Sequence, residues 1–280
     1  MRPLTTTALL LGSLLSALVS GTPVNHPSKP ISTAGPRTVN KLAARDLLTP
    51  LQDKATALEH KWQPVLDFDK DSCYNTAAVD SSGNKNPGLS AGQGVPPSCF
   101  VATCRDNDRL EHSNAYSRSR CNNGWCAIMY DYYFERDQRT CGSYINGHRH
   151  DWETIVVFVK DDQLRRVAPS CHDKFDGATD SPRMEGNRAK VVYHKDGIST
   201  HCFRMGREDD DNIENFTGRW FLDNLVGWTG WPSDDFRNSA LDWGDDGPQS
   251  KLPDKHFAGV LRSAAGQDIL DDGFSPDIDG

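Results

Sequence analysis

Short apolar segments separated by polar turns run through the middle of the chain. The segments WCAIMYDYYF and TIVVFV, residues 125–134 and 154–159, are rich in aromatic and β-branched residues and predict two strands, the second buried on both faces. KVVYH and HCFRM, residues 190–194 and 201–205, predict two further short strands, and residues 234–244 predict a short helix. Because predicted strands outnumber predicted helices, the pattern favours a mainly-β fold, a single-domain β-sandwich with a few helices packed outside it.

The first part of the chain has a different pattern. A basic start, an apolar stretch at residues 8–19 and two small residues after it are typical of a secretory signal peptide over residues 1–21. Residues 22–57 are polar, contain several prolines and lack aromatic residues, which predicts a flexible leader or a removable pro-segment. The folded domain is therefore expected at residues 58–280 of a secreted, extracellular protein.

Charge and cysteine content narrow the function classes. The formal net charge of −8 argues against binding to nucleic acid, which needs a basic surface. Contact with a membrane would therefore depend on recognition of a head group rather than on bulk charge. The eight cysteines all follow the predicted signal peptide and form no C-x-x-C pair, so disulfide bonds are favoured over a zinc site. Residues 215–217 (NFT) form an N-glycosylation acceptor, which predicts an exposed loop.

The stretch GHRHDWE, residues 147–153, crowds ionisable side chains directly before an apolar strand. If this stretch enters the strand, alternation places the carboxylates of Asp151 and Glu153 on one face. His148 lies three residues before Asp151, across a bend that Gly147 would allow. Two carboxylates at the rim of a sheet repel each other unless a positive charge lies between them, so this stretch is a candidate cation site.

A further carboxylate, Asp137, follows the preceding strand and would add to the same set. Oxygen ligands with one imidazole suit a divalent ion such as Ca²⁺, Mg²⁺ or Mn²⁺. Two other interpretations fit the same residues. The acidic side chains could form surface ion pairs with Arg149 and other basic residues. Alternatively, the stretch could belong to a metal-dependent hydrolase in which one histidine or the glutamate activates a metal-bound water.

At this stretch the chain closely resembles the Nep1-like proteins, the necrosis- and ethylene-inducing proteins that plant-associated fungi, oomycetes and bacteria secrete. Their hallmark heptapeptide is GHRHDWE, and residues 147–153 match it at all seven positions. Residues 127–138 (AIMYDYYFERDQ) resemble the family's AIMYSWYFPKD-type segment. The departures from that segment are Asp131, Tyr132, Glu135 and Arg136. Because VVYH, THCFRM, LDWG and DKHFAGVL fit the family's C-terminal half, the resemblance covers residues 62–261.

The resemblance implies a central β-sandwich with flanking helices, similar to actinoporins and fungal lectins, and a cytolytic rather than an enzymatic activity. Members of the family bind sphingolipids of plant plasma membranes, the glycosyl inositol phosphoryl ceramides, through their sugar head groups and then permeabilise the membrane. The chain is therefore expected to be a secreted virulence effector that acts as a monomer at the host plasma membrane and induces necrosis and defence responses.

The resemblance also implies a divalent ion, Mg²⁺ or Ca²⁺, in the head-group pocket. The family's ligand positions fall here on Asp137, His148, Asp151 and Glu153. Arg149 and His150 match the motif too and would support the ligands or neighbouring loops. His201 matches a histidine in the family's pocket-side Thr-His segment and would either contact the head group or play a structural role.

The cysteines extend the resemblance. The bridge common to the family would join Cys73 to Cys99 here. The remaining cysteines resemble a subgroup with additional bridges and a proposed second calcium site, for which two acidic stretches qualify. Their acidic residues are Asp67, Asp69 and Asp71 in DFDKD, and Asp106, Asp108 and Glu111 in RDNDRLE. Either stretch could instead be a solvated acidic loop.

One feature of the family has no counterpart in the expected place. The family uses an exposed tryptophan on a loop near the membrane, and residues 173–188, where it would be expected, contain none. Two alternatives to a cytolysin therefore stay open. One is a non-toxic relative that plant immune receptors recognise through residues 127–138, and the other is a secreted metal-dependent hydrolase of the plant cell wall.

Overall fold

Two β-sheets and four α-helices form the part of the chain that this computed structural model describes, residues 47–90, 103–138, 147–197, 200–244 and 247–278. The larger sheet contains β2 (Asn114–Asn122), β3 (Trp125–Gln138), β4 (Gly147–Lys160), β5 (Gln163–Pro169) and β9 (Asn224–Gly227). The smaller sheet contains β1 (Val65–Phe68), β6 (Met184–Glu185), β7 (Arg188–Lys195) and β8 (His201–Met205). The strand order is β5-β4-β3-β2-β9 in the larger sheet, and β7 pairs with the three other strands of the smaller one.

The helices are α1 (Ala57–Trp62), α2 (Asn107–Glu111), α3 (Asp234–Leu241) and α4 (Asp254–Asp271). Helix α1 begins at a capping box, in which the Thr56 hydroxyl accepts from the Glu59 amide and the Glu59 carboxylate accepts from the Thr56 amide. Helix α3 is capped by Ser233, whose hydroxyl accepts from the Phe236 amide, and it starts where the helix predicted over residues 234–244 starts but ends three residues earlier.

The larger sheet is covered on both faces, which explains why its central strands are apolar almost throughout. On one face, alternate side chains of β3 and β4, such as Tyr133 and Val156, pack with Leu261 and other residues of α4. On the other face, their neighbours, such as Val157, pack with Tyr193 and other residues of the smaller sheet. The predicted mainly-β sandwich with helices outside it is confirmed.

The ordered fold begins before residue 58. Leu51 is buried, and its backbone exchanges two hydrogen bonds with the side-chain amide of Asn114, at 2.8 and 2.9 Å. The backbone of Lys54 pairs with β9, because its amide donates to Leu225 and its carbonyl accepts from Gly227. Residues 47–57, which were predicted to belong to the leader, are thus packed on the domain. Their contacts are mainly backbone hydrogen bonds, and such bonds produce no periodic pattern of apolar residues that the sequence could reveal. The predicted signal peptide and the rest of the leader lie outside the described residues.

The predicted Cys73–Cys99 bridge is wrong, because Cys73 is bonded to Cys104. The Tyr74 amide donates to the Cys104 carbonyl at 3.0 Å, so the two segments already run side by side where the bridge forms. Spacing alone could not separate Cys104 from Cys99, five residues earlier. Further bridges join Cys121 to Cys126 and Cys171 to Cys202. Cys99 itself lies outside the described residues.

Candidate metal centre

The predicted ligands lie in a cavity at the rim of the sandwich, where the end of β3 and the start of β4 meet β8. The cavity has a volume of about 650 Å³. Asp137, Asp151 and Glu153 line it although only 2, 5 and 7% of their surfaces are exposed. Other parts of its wall include Gln249, Lys251 and His256. Three buried carboxylates thus face one cavity that is large enough for a small ligand.

The backbone of His150 brings His148 to the same side as Asp151. These two residues are three apart, so strict alternation along β4 would point them to opposite faces. His150 has a φ of 62°, in the left-handed region, which interrupts the alternation. His148 then lies opposite Asp137 in the pairing of β3 with β4, and ligand atoms of Asp137, His148 and Asp151 lie within 4.8 Å of one another. The bend expected at Gly147 is at His150.

His150 and Arg149 anchor this segment to its surroundings. The Tyr133 hydroxyl is hydrogen-bonded to Nδ1 of His150 at 2.7 Å, and the Trp243 ring packs edge-on against the imidazole at 4.9 Å. Arg149 donates to the loop of residues 87–90 at 2.8 Å. Burial, followed by the charge of Arg149, lowers the pKa of His150 to about 4, so the ring is neutral. These contacts offset the cost of the left-handed backbone, about 1–3 kcal/mol for a residue other than glycine.

His148 presents one ring nitrogen to the cavity. Its Nδ1 lies 2.7 Å from the carbonyl oxygen of His150, which can only accept a hydrogen bond, so the proton sits on Nδ1. Its Nε2 lies 4.0 Å from a carboxylate oxygen of Asp137 and is the nitrogen of the neutral ring that can bind a metal ion. A second partner that fixes the tautomer in this way is usual for histidine ligands.

Asp137 is oriented by His201. The backbone amide of His201 donates to both carboxylate oxygens, at 3.0 and 2.9 Å, and its Nδ1 lies 2.8 Å from one of them. Burial lowers the pKa of His201, but its hydrogen bonds to Asp137 and Asp71 outweigh this effect and raise that pKa to about 9. With 4% of its surface exposed, His201 is better placed for the structural role than for the head-group contact.

Tyr193 and Ser170, which the sequence analysis missed, hold the other two carboxylates. The Tyr193 hydroxyl donates to Asp151 at 3.0 Å, and the Ser170 hydroxyl donates to Glu153. Alternation within KVVYHK could have turned Tyr193 inward, but nothing local marks Ser170, which follows the end of β5. The Tyr193 contact spans 42 residues and the Ser170 contact spans 17, so neither follows from a local pattern.

Burial and mutual repulsion disfavour the charged forms of these carboxylates. Burial, followed by the nearby charge of Asp137, raises the pKa of Asp151 to about 7. Burial, followed by the charge of Asp151, raises the pKa of Glu153 well above its usual value. A divalent cation among them would reverse both effects. The donor set of two carboxylates and one imidazole fits such an ion, whereas Glu153 lines the same cavity but lies outside this three-residue group.

The acidic residues predicted for a second calcium site have other partners. Asp69 pairs with Arg204 at 3.3 Å, and Asp108 pairs with Arg109 at 3.0 Å. The carbonyl oxygen of Asp71 lies 3.1 Å from Nε2 of His201. Within the described ranges, the structure does not bring any three of the six residues into a group that could hold one ion. The six residues are Asp67, Asp69, Asp71, Asp106, Asp108 and Glu111.

Asp67, the first of these residues, also bonds to the asparagine of the predicted N-glycosylation acceptor. Its carboxylate accepts from the amides of Glu214 and Asn215 and from the Asn215 side chain, at 2.8–3.1 Å. Asn215 is 4% exposed. The acceptor nitrogen is thus engaged in a buried hydrogen bond to β1, whereas the next residue, Phe216, is 40% exposed, as the predicted exposed loop requires.

The fold and site define a class of protein, a β-sandwich with a carboxylate-lined pocket at its rim, and comparison with known proteins agrees with it. Residues 56–264 match the family model described as necrosis inducing protein (NPP1), so the chain belongs to this family. The chain is 31% identical over 187 residues to NLP effector protein 10 of Phytophthora capsici. The aligned region covers 64% of this chain and 75% of that protein. The prediction of a Nep1-like protein is thereby confirmed.

Two solved structures have the same fold. Necrosis and Ethylene inducing Protein 2, from the causal agent of cocoa's witches' broom disease, superimposes with a TM-score of 0.62 at 28% identity, over 78% of this chain and 94% of that one. NLPPya in complex with mannosamine superimposes with a TM-score of 0.63 at 25% identity, over 78% of this chain and 96% of that one. The family is one of necrosis-inducing and effector proteins and not of enzymes, which argues against the hydrolase alternative, and one solved relative is described as non-toxic. Among the described residues, no helix has the length and apolar character needed to cross a bilayer.

Proposed function

We propose that this protein is a secreted, metal-dependent cytolysin that binds the sugar head groups of plant sphingolipids and permeabilises plant plasma membranes. The observation that carries the proposal is the convergence of Asp137, Asp151 and Glu153 with His148 on one rim cavity. Burial and mutual repulsion make it costly to ionise these carboxylates together, and a bound divalent cation would offset that cost. The glycosyl inositol phosphoryl ceramides are the proposed lipids, and the protein would act from the extracellular side as a monomer.

The residues of the cavity have two proposed roles: some bind the ion, and others orient the ligands or contact the sugar. Asp137, His148 and Asp151 would hold the ion, with Glu153 beside them as a fourth ligand. When bound, Mg²⁺ or Ca²⁺ would supply positive charge and open coordination positions for sugar hydroxyls. His201, Tyr193 and Ser170 orient the carboxylates, and the Gln249–His256 pair, 3.0 Å apart, offers polar groups elsewhere in the cavity wall. The mannosamine complex of NLPPya supports a sugar as the ligand class.

A second candidate function is recognition by a plant immune receptor without membrane damage. All seven tryptophans lie in the described part of the chain, and none of them is exposed. The membrane-facing tryptophan that the resemblance implies therefore has no counterpart on this surface. In this case residues 127–138 would act as the recognised segment, although they form β3 and are almost entirely buried in the folded protein.

Dye release from liposomes tests the two functions. Vesicles with and without plant glycosyl inositol phosphoryl ceramides are each tested with Mg²⁺ or Ca²⁺ and with a chelator. A cytolysin requires both the lipid and the metal, and Asp151→Asn should abolish the release. Asp162→Asn is the matched control, because Asp162 is exposed at the far end of β4 and has a φ of 58°, which asparagine tolerates.

The possible results separate the candidates. The cytolysin is supported if leakage needs both the lipid and the metal. Leakage should then be lost in Asp151→Asn and kept in Asp162→Asn. Leakage from vesicles without the sphingolipid, or leakage that persists in the chelator, contradicts the metal mechanism. If no vesicle leaks while the protein still triggers defence signalling in leaf tissue, the second candidate is favoured.

A further inference from the structure

The Cys171–Cys202 disulfide lies next to two of the residues that orient the metal-site carboxylates. Cys171 directly follows Ser170, whose hydroxyl donates to Glu153. Cys202 directly follows His201, whose amide and ring hold Asp137. One covalent bridge therefore ties together the chain positions that set two carboxylates of the site.

The bridge also crosses between the two sheets. Ser170 follows β5 of the larger sheet, and its amide donates to Thr154 of β4 while its hydroxyl accepts from the Thr154 amide. His201 begins β8, which pairs with β7 at the edge of the smaller sheet. The Phe203 amide donates to the Ser170 carbonyl at 3.0 Å, so one backbone hydrogen bond accompanies the disulfide. A strand end at a sheet edge is a place where local opening is easy, and the bridge lies one residue from that end.

The segment after Cys171 is a turn at the surface, whose residues His172 and Asp173 contact Asp196 and Lys251 at 3.2 and 2.9 Å. Cys171 and Lys174 exchange two backbone hydrogen bonds across a turn, and both central residues, His172 and Asp173, have left-handed backbones. All three residues that follow Cys171 are exposed. Cys202, by contrast, is completely buried. The disulfide thus anchors an exposed turn to a buried strand beside the cavity.

We propose that the Cys171–Cys202 disulfide is a positioning element of the metal site, which holds Ser170 and His201 so that Glu153 and Asp137 face one ion. This inference rests on the proposed function, because it assumes that the cavity binds a divalent cation. Losing an outer contact to a ligand typically weakens metal binding by about 10- to 100-fold. Removing the bridge loosens two such contacts at once, so the expected loss of affinity is at least about tenfold.

The test measures Mg²⁺ and Ca²⁺ affinity by calorimetry for the full chain and for Cys171→Ala/Cys202→Ala, under conditions where circular dichroism shows both to be folded. Two controls accompany it. Cys121→Ala/Cys126→Ala removes a bridge in the β2–β3 hairpin. Phe274→Ala destabilises the packing of Phe274 on Phe158, away from the cavity, and matches the general loss of stability.

A tenfold or larger loss of affinity in the Cys171/Cys202 variant, with both controls near wild type, supports the proposal. Unchanged affinity in that variant overturns it, and so does an equal loss in Phe274→Ala. If the variant does not fold, Cys171→Ser/Cys202→Val replaces it and retains more buried volume. Should neither fold while Phe274→Ala does, the bridge serves the fold as a whole, and the specific inference is overturned.

Amide hydrogen exchange keeps this test separate from the proposed function. Removing the bridge should accelerate exchange at His201 and Thr154, whether or not metal is present, and leave the β2–β3 hairpin unchanged. If the wild type binds no metal, the proposed function fails. The rate of amide exchange at His201 and Thr154 then tests on its own whether the disulfide positions Ser170 and His201. Unaltered exchange at His201 and Thr154 would overturn that positioning role.

Discussion

Two groups of buried carboxylates in this protein have opposite surroundings. Asp67 and Asp131 are enclosed by donors. Asp67 accepts three hydrogen bonds from the Glu214–Asn215 segment, and Asp131 accepts from Thr154, Ser250 and the Lys251 amide at 2.6–2.7 Å. Asp151 and Glu153 instead face a cavity, and each receives a side-chain hydrogen bond from a neutral hydroxyl.

The difference shows how burial alone fails to identify a site. A carboxylate that is surrounded by amides and hydroxyls has its hydrogen bonds satisfied inside the fold and fixes the segments that donate to it, although burial still raises the pKa of Asp131. Carboxylates that lie beside one another, with few donors, are left to be satisfied from the cavity. Removing a member of the first group should therefore weaken the fold, whereas removing a member of the second should weaken binding.

The largest expected effect is on metal binding by Asp151→Asn. The substitution removes a ligand, so affinity should fall by more than the roughly 100-fold upper limit of outer-contact changes. At pH 8 the metal-free fold should become more stable by a few kcal/mol, because burial raises the pKa of Asp151 to about 7 and each unit is worth about 1.4 kcal/mol. Calorimetry and urea unfolding measure the two quantities. A variant that binds metal normally, or that unfolds more easily without metal, would contradict the assignment.

The opposite outcome is expected for Asp67→Ala. The substitution leaves two backbone amides and the Asn215 side chain without their buried acceptor, and each unsatisfied donor costs about 1–3 kcal/mol. The free energy of unfolding should fall by about 3 kcal/mol or more, measured as a lower urea midpoint. Metal affinity per folded molecule should stay unchanged. Loss of a bound calcium ion on this substitution would instead revive the second site predicted from DFDKD.

The sequence predicts the parts of this comparison that depend on local periodicity. Alternation after Gly147 places Asp151 and Glu153 on one face, and the apolar runs of β3 and β4 indicate a sheet covered on both sides. The local pattern of the heptapeptide therefore predicts that the two carboxylates share a face, but it does not by itself separate a cation site from surface ion pairs. The same periodicity fails at His150, because its left-handed backbone depends on contacts with Tyr133 and Trp243, which local sequence does not encode.

What the sequence does not predict depends on distant partners. Asp67 in DFDKD has the spacing of a calcium ligand, but its carboxylate accepts a hydrogen bond from the Asn215 side chain. The same contact buries the asparagine of the glycosylation acceptor. Asp131 departs from the family-type segment and gains Thr154 and Ser250 as partners from other parts of the chain. Acidic spacing cannot distinguish a carboxylate that will be enclosed by donors from one that will face a cavity.

Changing the pH should move metal-free stability and metal affinity in opposite directions. Between its ordinary pKa of 3.8 and its folded pKa of about 7, Asp151 keeps a proton in the folded protein that the unfolded chain has released. Its contribution to metal-free stability is therefore largest at low pH and falls as the pH rises through this window. Metal must displace the same proton, so affinity should fall as the pH drops below about 7, by up to about tenfold per unit for each displaced proton.

Unfolding and calorimetry at pH 5, 6, 7 and 8 measure both trends. Other groups also titrate in this range, so the comparison that isolates the site is between the wild type and Asp151→Asn. The variant should lose much of the negative slope of metal-free stability against pH. Identical slopes in the two proteins would show that Asp151 has no raised pKa and is not part of a repelling cluster.

The smallest expected effect comes from Tyr193→Phe, which removes the hydroxyl that donates to Asp151 and keeps the ring stacked on Phe134 at 3.8 Å. Metal affinity should fall by about tenfold, at the low end for an outer contact, and stability should change by about 1 kcal/mol. Tyr132→Phe is the matched control, because its hydroxyl is equally buried and has no hydrogen-bond partner within the described residues. That control should bind metal normally and be as stable as the wild type or more so. Equal losses of affinity in both variants would mean that hydroxyl removal acts through packing, and that Asp151 does not depend on Tyr193 for its orientation.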